Sequence, residues 1–317
     1  MNKFFSFIYR MLLYCFYLVG CAYYRADNTP LTWSSVNDFV YQLQNIDIQA
    51  IGSTAFDLVI IDYSKNGTEE NRFSLQEITA LKNSSGGPKL VLAYLSIGEA
   101  ETYRWYWDTD WDRDRDGQPD AGAPSWLGPE NPEWEGNYKV KYWESGWQEI
   151  IFTYLDKIIN AGFDGVYLDI IDAYEYWGPG GESGLNRLSA AEDMVAFVKV
   201  LANHARTIKR KPDFGIFPQN GEGLSSFSDY VEVVTGIGKE DTWYNDNTAQ
   251  EPNYINEVLS HLEVFKQAGK LVLCIDYVTT PPLIDDFYTK ARARGFVPYA
   301  TARSLDTLTV HLQHPPD

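Results

Sequence analysis

The stretch Gly165-Val166-Tyr167-Leu168-Asp169-Ile170-Ile171-Asp172-Ala173-Tyr174-Glu175-Tyr176-Trp177 decides the fold. Its apolar run 166–168 delivers a carboxylate at Asp169, and an aromatic segment leading into a glycine-rich loop follows at once. A strand buried on both faces of a parallel sheet reads this way, ending at a rim where function collects. The pattern recurs along the chain. Near-continuous apolar runs at 38–43, 56–63, 90–97, 214–218, 231–238, 271–277 and 296–300 read as further strands. Most are separated by helical patterns. These lie at 74–82, opened by the capping box Ser74-Leu75-Gln76-Glu77, and at 146–161, with Ile150, Ile151, Tyr154, Leu155 and Ile158 on one stripe. Others span 190–208, 254–268 and 281–294, the last opened by proline. Eight strands alternating with helices, without a fixed-period repeat, predict an α/β chain closed as a (β/α)8 TIM barrel. A long aromatic and acidic insertion, 99–145, follows the third strand.

A chain of 317 residues, 44% hydrophobic and 15% aromatic, can bury a large core. Residues 31–317 suit one barrel-sized domain behind a polar linker at 22–30. The 26 Lys and Arg against 44 Asp and Glu leave a formal charge of −18, which disfavours nucleic acid and anionic membrane as partners. Neutral or cationic ligands are favoured. Ten Trp and 22 Tyr add stacking surfaces for sugar rings or cations where they crowd loops beside carboxylates.

Residues 1–21 read as an address and not as part of the fold. Lys3 and Arg10 precede or flank the apolar run 11–19, which ends in Leu18-Val19-Gly20-Cys21, the layout of a secretory leader. The tetrad resembles a bacterial lipobox. That resemblance implies lipidation of Cys21 and a mature protein held by lipid at a membrane, facing the periplasm or exterior. A plain signal peptide and an uncleaved anchor are the alternatives, although the apolar segment is short for a spanning helix. With Cys15 in the leader and Cys21 acylated, only Cys274 remains in the body, so no intrachain disulfide is expected.

Polar groups mark the strand ends. Asp62 closes the second strand, Glu99 follows the third, Asp169 closes the fourth, Asn220 follows the fifth, Glu240 the sixth, Asp276 closes the seventh, and Tyr299 lies on the eighth. In a barrel these ends converge on one mouth. Taken singly, Asp62 and Asp276 read equally well as caps of the next helix. A whole ring of such groups is harder to explain by capping. Several carboxylates in an aromatic mouth, without a histidine cluster, suit glycoside hydrolysis, where one carboxylic acid protonates the leaving oxygen and a carboxylate serves as nucleophile or base.

The motifs Phe56-Asp57-Leu58-Val59-Ile60-Ile61-Asp62-Tyr63, Ala93-Tyr94-Leu95-Ser96-Ile97-Gly98-Glu99-Ala100-Glu101, Gly162-Phe163-Asp164-Gly165-Val166-Tyr167-Leu168-Asp169, Pro218-Gln219-Asn220-Gly221 and Gly236-Ile237-Gly238-Lys239-Glu240-Asp241 resemble family 114 glycoside hydrolases. These are endo-α-1,4-polygalactosaminidases, once grouped as cysteinyl-tRNA synthetase-like extracellular proteins. The resemblance runs in order from about residue 32 to 308. It implies a barrel that cleaves polymers of galactosamine and N-acetylgalactosamine, with Asp169 and Glu240 matching the family's catalytic pair. Asp62, Tyr94, Glu99, Tyr167, Asn220, Asp276 and Tyr299 are then the candidate sugar-holding groups. The acidic charge supports this independently, because deacetylated galactosamine is cationic. Asp169, ending a buried strand, is assigned as nucleophile and Glu240 as acid/base, with the exchanged order open and Glu99 as substitute for either.

Asp112-Arg113-Asp114-Arg115-Asp116-Gly117-Gln118-Pro119-Asp120 places carboxylates at positions 1, 3, 5 and 9 and glycine at 6, the first half of a calcium loop. Position 12 is Ala123, so the loop reads either as a structural calcium site completed from elsewhere or as a solvated acidic loop. Two-carboxylate chemistry requires no metal or cofactor. Of the insertion's aromatics, some must pack the segment onto the barrel and a few are expected to line sugar subsites. The histidines, His204, His261, His311 and His314, lack metal-ligand spacing and read as structural or exposed. The competing readings are a non-catalytic carbohydrate-binding lipoprotein and a barrel glycosidase acting on another polysaccharide. A metal-dependent deacetylase would want His and Asp ligands at close spacing, which this sequence does not offer.

Overall fold

A computed structural model describes residues 31–317, so the leader, the linker and Cys21 lie outside the described residues. The expected strands form as Phe39–Gln42 (β1), Leu58–Asp62 (β2), Leu90–Ser96 (β3), Gly165–Asp169 (β4), Gly215–Pro218 (β5), Gly236–Glu240 (β6), Leu271–Asp276 (β7) and Val297–Ala300 (β8). β1 to β5 make one parallel ladder in chain order, and β6 to β8 make another. Backbone bonds from Thr235 N–H to the Ile216 carbonyl (2.9 Å) and from Asn220 N–H to the Gly238 carbonyl (2.8 Å) join the two ladders. At the last seam β8 lies beside β1, where the Tyr299 ring packs on Phe39 and Phe56 at centroid distances of 5.4 and 6.1 Å. The architecture is a (β/α)8 barrel.

Both faces of these strands are covered, which is why they read as continuous apolar runs: every residue of β2 and β3 is buried. The barrel's interior demands one glycine outright. A Cβ on Gly238 would stand 1.8 Å from the Tyr167 hydroxyl, so β6 can pass β4 only without a side chain there. Aspartates at the opposite, N-terminal ends of strands hold the barrel together. Asp164 accepts from Lys82 Nζ (2.5 Å) and Val91 N–H (2.9 Å), and Asp57 from Asn37 N–H (2.9 Å).

Two expected elements change. The run 231–238 is not one strand: Ser228–Val233 is a helix burying Tyr230 and Val231, and β6 starts at Gly236. A short apolar run carries no period to separate helix from strand. The helix from Ala190 ends at Asn203 and continues as a π-helical turn, His204–Ile208. There Arg206 donates to the carbonyls of Phe214 and Val233 (3.0 and 2.6 Å), tying the turn to the residue before β5 and to the end of the 228–233 helix.

The insertion folds as a small antiparallel sheet, with Asn137–Val140 between Glu99–Glu101 and Leu127–Glu130. Trp126, Tyr138, Tyr142 and Trp147 are buried under it, and the Trp147 indole N–H donates to the Ile97 carbonyl at 2.8 Å. Among the described residues no helix is long and apolar enough to cross a membrane.

Candidate active site

β4, β5 and β6 are each followed closely by a residue with left-handed backbone: Ile170 (φ 57°), Asn220 (φ 59°) and Asp241 (φ 52°). For Ile170, a β-branched residue, that conformation is strained, and strain of this kind persists where the surroundings enforce it. Gly98 makes the room, since a Cβ there would stand 2.2 Å from the Ile170 carbonyl oxygen. The turns take the chain off the barrel immediately after Asp169 and Glu240, leaving both carboxylates at the rim.

Half-buried Asp169 accepts a hydrogen bond from the Tyr94 hydroxyl at 2.6 Å. Burial pushes its carboxyl well above the usual range, and the facing charge of Glu240 pushes it further. Glu240 accepts from Asn220 Nδ2 (2.9 Å) and from the Tyr277 hydroxyl, while its own N–H donates to Asn220 Oδ1 (3.1 Å). Neither carboxylate has a cation in hydrogen-bond contact among the described residues. Beneath them, the fully buried Tyr167 hydroxyl makes no hydrogen bond among the described residues, and its ring meets Tyr41 edge-on at 5.3 Å. A carboxyl whose pKa burial has raised, set beside a second acid, is the side-chain pair that acid-assisted glycoside cleavage uses.

The remaining candidates do other work. Asp62 is clamped by Arg104 (Nη2 to Oδ2 2.7 Å, Nη1 to Oδ1 3.0 Å), and Arg104 also grips Glu101 through Nε at 2.6 Å. Glu99 is fully buried and holds Lys139 Nζ at 2.6 Å and Asn131 Nδ2 at 2.9 Å, so it is not a ready substitute for either acid. Asp276 accepts the backbone N–H groups of Thr242, Trp243 and Tyr244 at 2.7, 2.9 and 3.0 Å, pinning the loop after β6; burial raises it to about 7 despite those donors. Tyr299 belongs to the β8–β1 seam, its hydroxyl facing the Thr309 carbonyl at 3.5 Å. The sequence reading missed Tyr277, although it directly follows the strand-ending Asp276, and it missed Arg104, which carries no sequence signal.

In the acidic loop, Asp112, Asp114 and Asp116 bring carboxylate oxygens within 4.8 Å of one another. Asp112 also accepts from the Tyr138 hydroxyl and from the N–H groups of Asp116 (3.2 Å) and Gly117 (3.1 Å), while Asp120 accepts from Arg113 N–H (2.8 Å). The four histidines bond to Asp156, Ser225, the Ala300 carbonyl and Asp285, each with its own partner.

A parallel barrel with an acid pair at its C-terminal rim is the layout of a barrel hydrolase. The model of glycoside-hydrolase family GH114 matches residues 22–315, and the chain belongs to this family. It is a glycoside hydrolase, with a polysaccharide as substrate. A protein of Methanocaldococcus jannaschii is 43% identical over 296 residues, covering 90% of this chain and 80% of the relative. One from Thermotoga maritima is 36% identical over 308 residues, covering 94% and 90%. Among solved structures, the glycoside hydrolase domain of PelA from Pseudomonas aeruginosa superposes with a TM-score of 0.63 at 17% identity, covering 87% of this chain and 98% of that one. Aspergillus fumigatus Ega3 in complex with galactosamine gives 0.63 at 19% identity, covering 88% and 97%. These two likenesses speak to the fold.

Proposed function

We propose that the protein cleaves α-1,4-linked galactosamine and N-acetylgalactosamine polysaccharide internally, with Asp169 and Glu240 as the reacting carboxylates. One observation carries this: these two rim acids lie within each other's field and are held by tyrosine hydroxyls and an asparagine amide, whereas Asp62 and Glu99 are engaged by cations and Asp276 by three backbone N–H groups. The complex of Ega3 with galactosamine and the −18 charge support a cationic sugar as ligand. One acid protonates the glycosidic oxygen as the bond to the anomeric carbon breaks; the other carboxylate attacks that carbon or deprotonates the attacking water. If the reaction is a retaining double displacement, azide rescue assigns the order within the pair: the variant lacking the nucleophile yields glycosyl azide of inverted configuration, and the variant lacking the acid/base yields the retained one. The primary test is the product pattern on partly deacetylated α-1,4-galactosaminogalactan beside chitosan and neutral glycans. Oligosaccharides released only from the galactosamine polymer support the reading. Binding without cleavage of any of them replaces it with a carbohydrate-binding protein, and cleavage of another glycan replaces the substrate.

For location, we propose a lipoprotein anchored through Cys21, supported by the Leu18-Val19-Gly20-Cys21 tetrad and by a family match that begins at residue 22. Cys21→Ser should release the protein from membranes or block its processing. A wild-type protein that fractionates as soluble with a different first residue overturns this.

A further inference from the structure

Every turn that leads into a barrel strand lies at the end of the barrel opposite the acid pair, because the strands are parallel. The turns before β5, β6, β7 and β8 are neighbours there, since those strands are neighbours. The described chain enters at the same end. Trp33 donates its indole N–H to the Asp213 carbonyl at 2.9 Å, and Thr32, Trp33 and Ser34 line one hollow with Thr235, Lys266 and Lys270.

Cations crowd this end. Lys209, Arg210 and Lys211 precede β5, Lys266 and Lys270 precede β7, and Arg294 precedes β8; all but half-buried Lys270 are exposed. Arg206 lies near enough to add to the burial that holds the Lys270 ammonium below the usual lysine range. Acids do little to balance them. Lys209 pairs with Asp156 at 2.5 Å, but Lys266 donates to the Gly295 carbonyl (2.6 Å) and Lys270 to the carbonyls of Glu232 and Val234 (2.8 Å each). The side chains of Arg210, Lys211 and Arg294 make no hydrogen bond or ion pair among the described residues, and the exposed acids on these turns and the helix ends feeding them are Asp213 and Glu232. Ile208, 60% exposed, stands at the head of the run 209–211. An unbalanced basic cluster beside an exposed aliphatic side chain is the make-up of a lipid-headgroup contact.

We infer that this end of the barrel docks on an anionic phospholipid surface, with Arg210, Lys211, Lys266 and Arg294 meeting headgroup phosphates and Ile208 entering the interface. The inference rests on the proposed anchoring through Cys21 for the protein's place at a membrane, and deepens it by assigning the orientation. Cys21 is ten positions from Leu31, a separation the chain spans by at most about 35 Å, so an anchored barrel has this end within reach of the bilayer. The charge of −18 belongs to the chain as a whole; a charged surface is felt over about 8 Å in physiological salt, so the face that touches it decides. Docked this way, the barrel turns Asp169 and Glu240 away from the lipid and toward incoming polymer.

The test is amine labelling of the full-length protein in the presence of vesicles of phosphatidylcholine alone, or of phosphatidylcholine mixed with phosphatidylglycerol, read lysine by lysine by mass spectrometry. Lys211 and Lys266 should be labelled about fivefold less on the anionic vesicles, and raised salt should erase the difference. Lys65, which follows β2 at the opposite end with its side chain 49% exposed, should be labelled equally on both. Arg210→Glu combined with Arg294→Glu should return Lys211 and Lys266 to the labelling seen on neutral vesicles, at an unchanged melting temperature. Equal labelling of Lys211 and Lys266 on the two vesicle types overturns the docking face. So does equal protection on both, which would mean that something other than anionic lipid, such as a second copy of the chain, covers this end. Lipidation of Cys21 is read separately from the mass of the N-terminal peptide, so an unlipidated chain that still shows the anionic preference counts against the anchoring and not against the face.

Discussion

The rim carries two populations of carboxylate, and their partners separate them. On the side of β2, β3 and β7, Asp62, Glu99 and Asp276 are held by Arg104, by Lys139 and by three backbone N–H groups. At β4 and β6, Asp169 and Glu240 are held by tyrosine hydroxyls and an asparagine amide. A buried cation or a set of backbone N–H groups ties a carboxylate into the framework, whereas tyrosine hydroxyls and an asparagine amide orient a carboxylate at the rim and leave it without a charged partner. Position at the rim is therefore insufficient evidence of chemistry. In the proposed reading, the partner separates the acids that build from those that react.

The strongest way to break this division is Asp169→Asn and Glu240→Gln. Each should lower kcat by about a thousandfold or more while binding persists, measured by product release beside calorimetry. Asp169→Asn should in addition raise the melting temperature at neutral pH. The folded-state pKa of Asp169 is raised, so its stabilising contribution is complete below the unfolded value and declines as pH rises through the folded one; the amide removes that decline. A melting temperature lowered equally at pH 4 and pH 8 would mean that Asp169 belongs with the structural acids.

On the other side, Asp62→Ala should destabilise the fold by about 3–5 kcal/mol, because it removes one of the two carboxylates that balance the buried Arg104 guanidinium, and denaturant unfolding reads this directly. Asp276→Ala should cost about 2–4 kcal/mol, since three buried backbone donors lose their acceptor. If either variant keeps wild-type stability but loses turnover, the division fails for that residue. A finer probe is Tyr94→Phe. Tyr94 lowers the Asp169 pKa through its hydrogen bond, so removing the hydroxyl should move the limb of the pH–rate profile governed by Asp169 to higher pH, with kcat down about ten- to a hundredfold. A profile that falls uniformly without shifting would leave Tyr94 a packing residue.

The smallest expected effect concerns the acidic loop, where we propose calcium as a structural ligand of Asp112, Asp114 and Asp116. A chelator should lower the melting temperature by a few degrees, and Asp114→Ala should abolish that sensitivity. Unchanged melting leaves a solvated loop, in which Asp112 serves Tyr138 and the turn at Gly117.

By itself the sequence determined the barrel. Burial on both faces forces near-continuous apolar runs, and alternation with amphipathic helices leaves few ways to close them. It also put Asp169 at a strand end, because the apolar run stops there, whereas Glu240 was reached through the motif 236–241 and its place as the last residue of β6 came from the fold. The tertiary structure alone decided which acids are free. Arg104 reaches Asp62 from 42 positions away, Lys139 reaches Glu99 from 40, and the N–H groups that hold Asp276 come from a loop more than 30 residues earlier. It also decided that 228–233 is a helix, that Tyr299 belongs to a seam and not to the mouth, and that Ile170 takes a left-handed turn no sequence rule would assign to it. Local pattern is set by the neighbours along the chain, so it can be read in one dimension. The pairing of a charge depends on which distant group folding brings within 3 Å, and nothing in the spacing of residues encodes that.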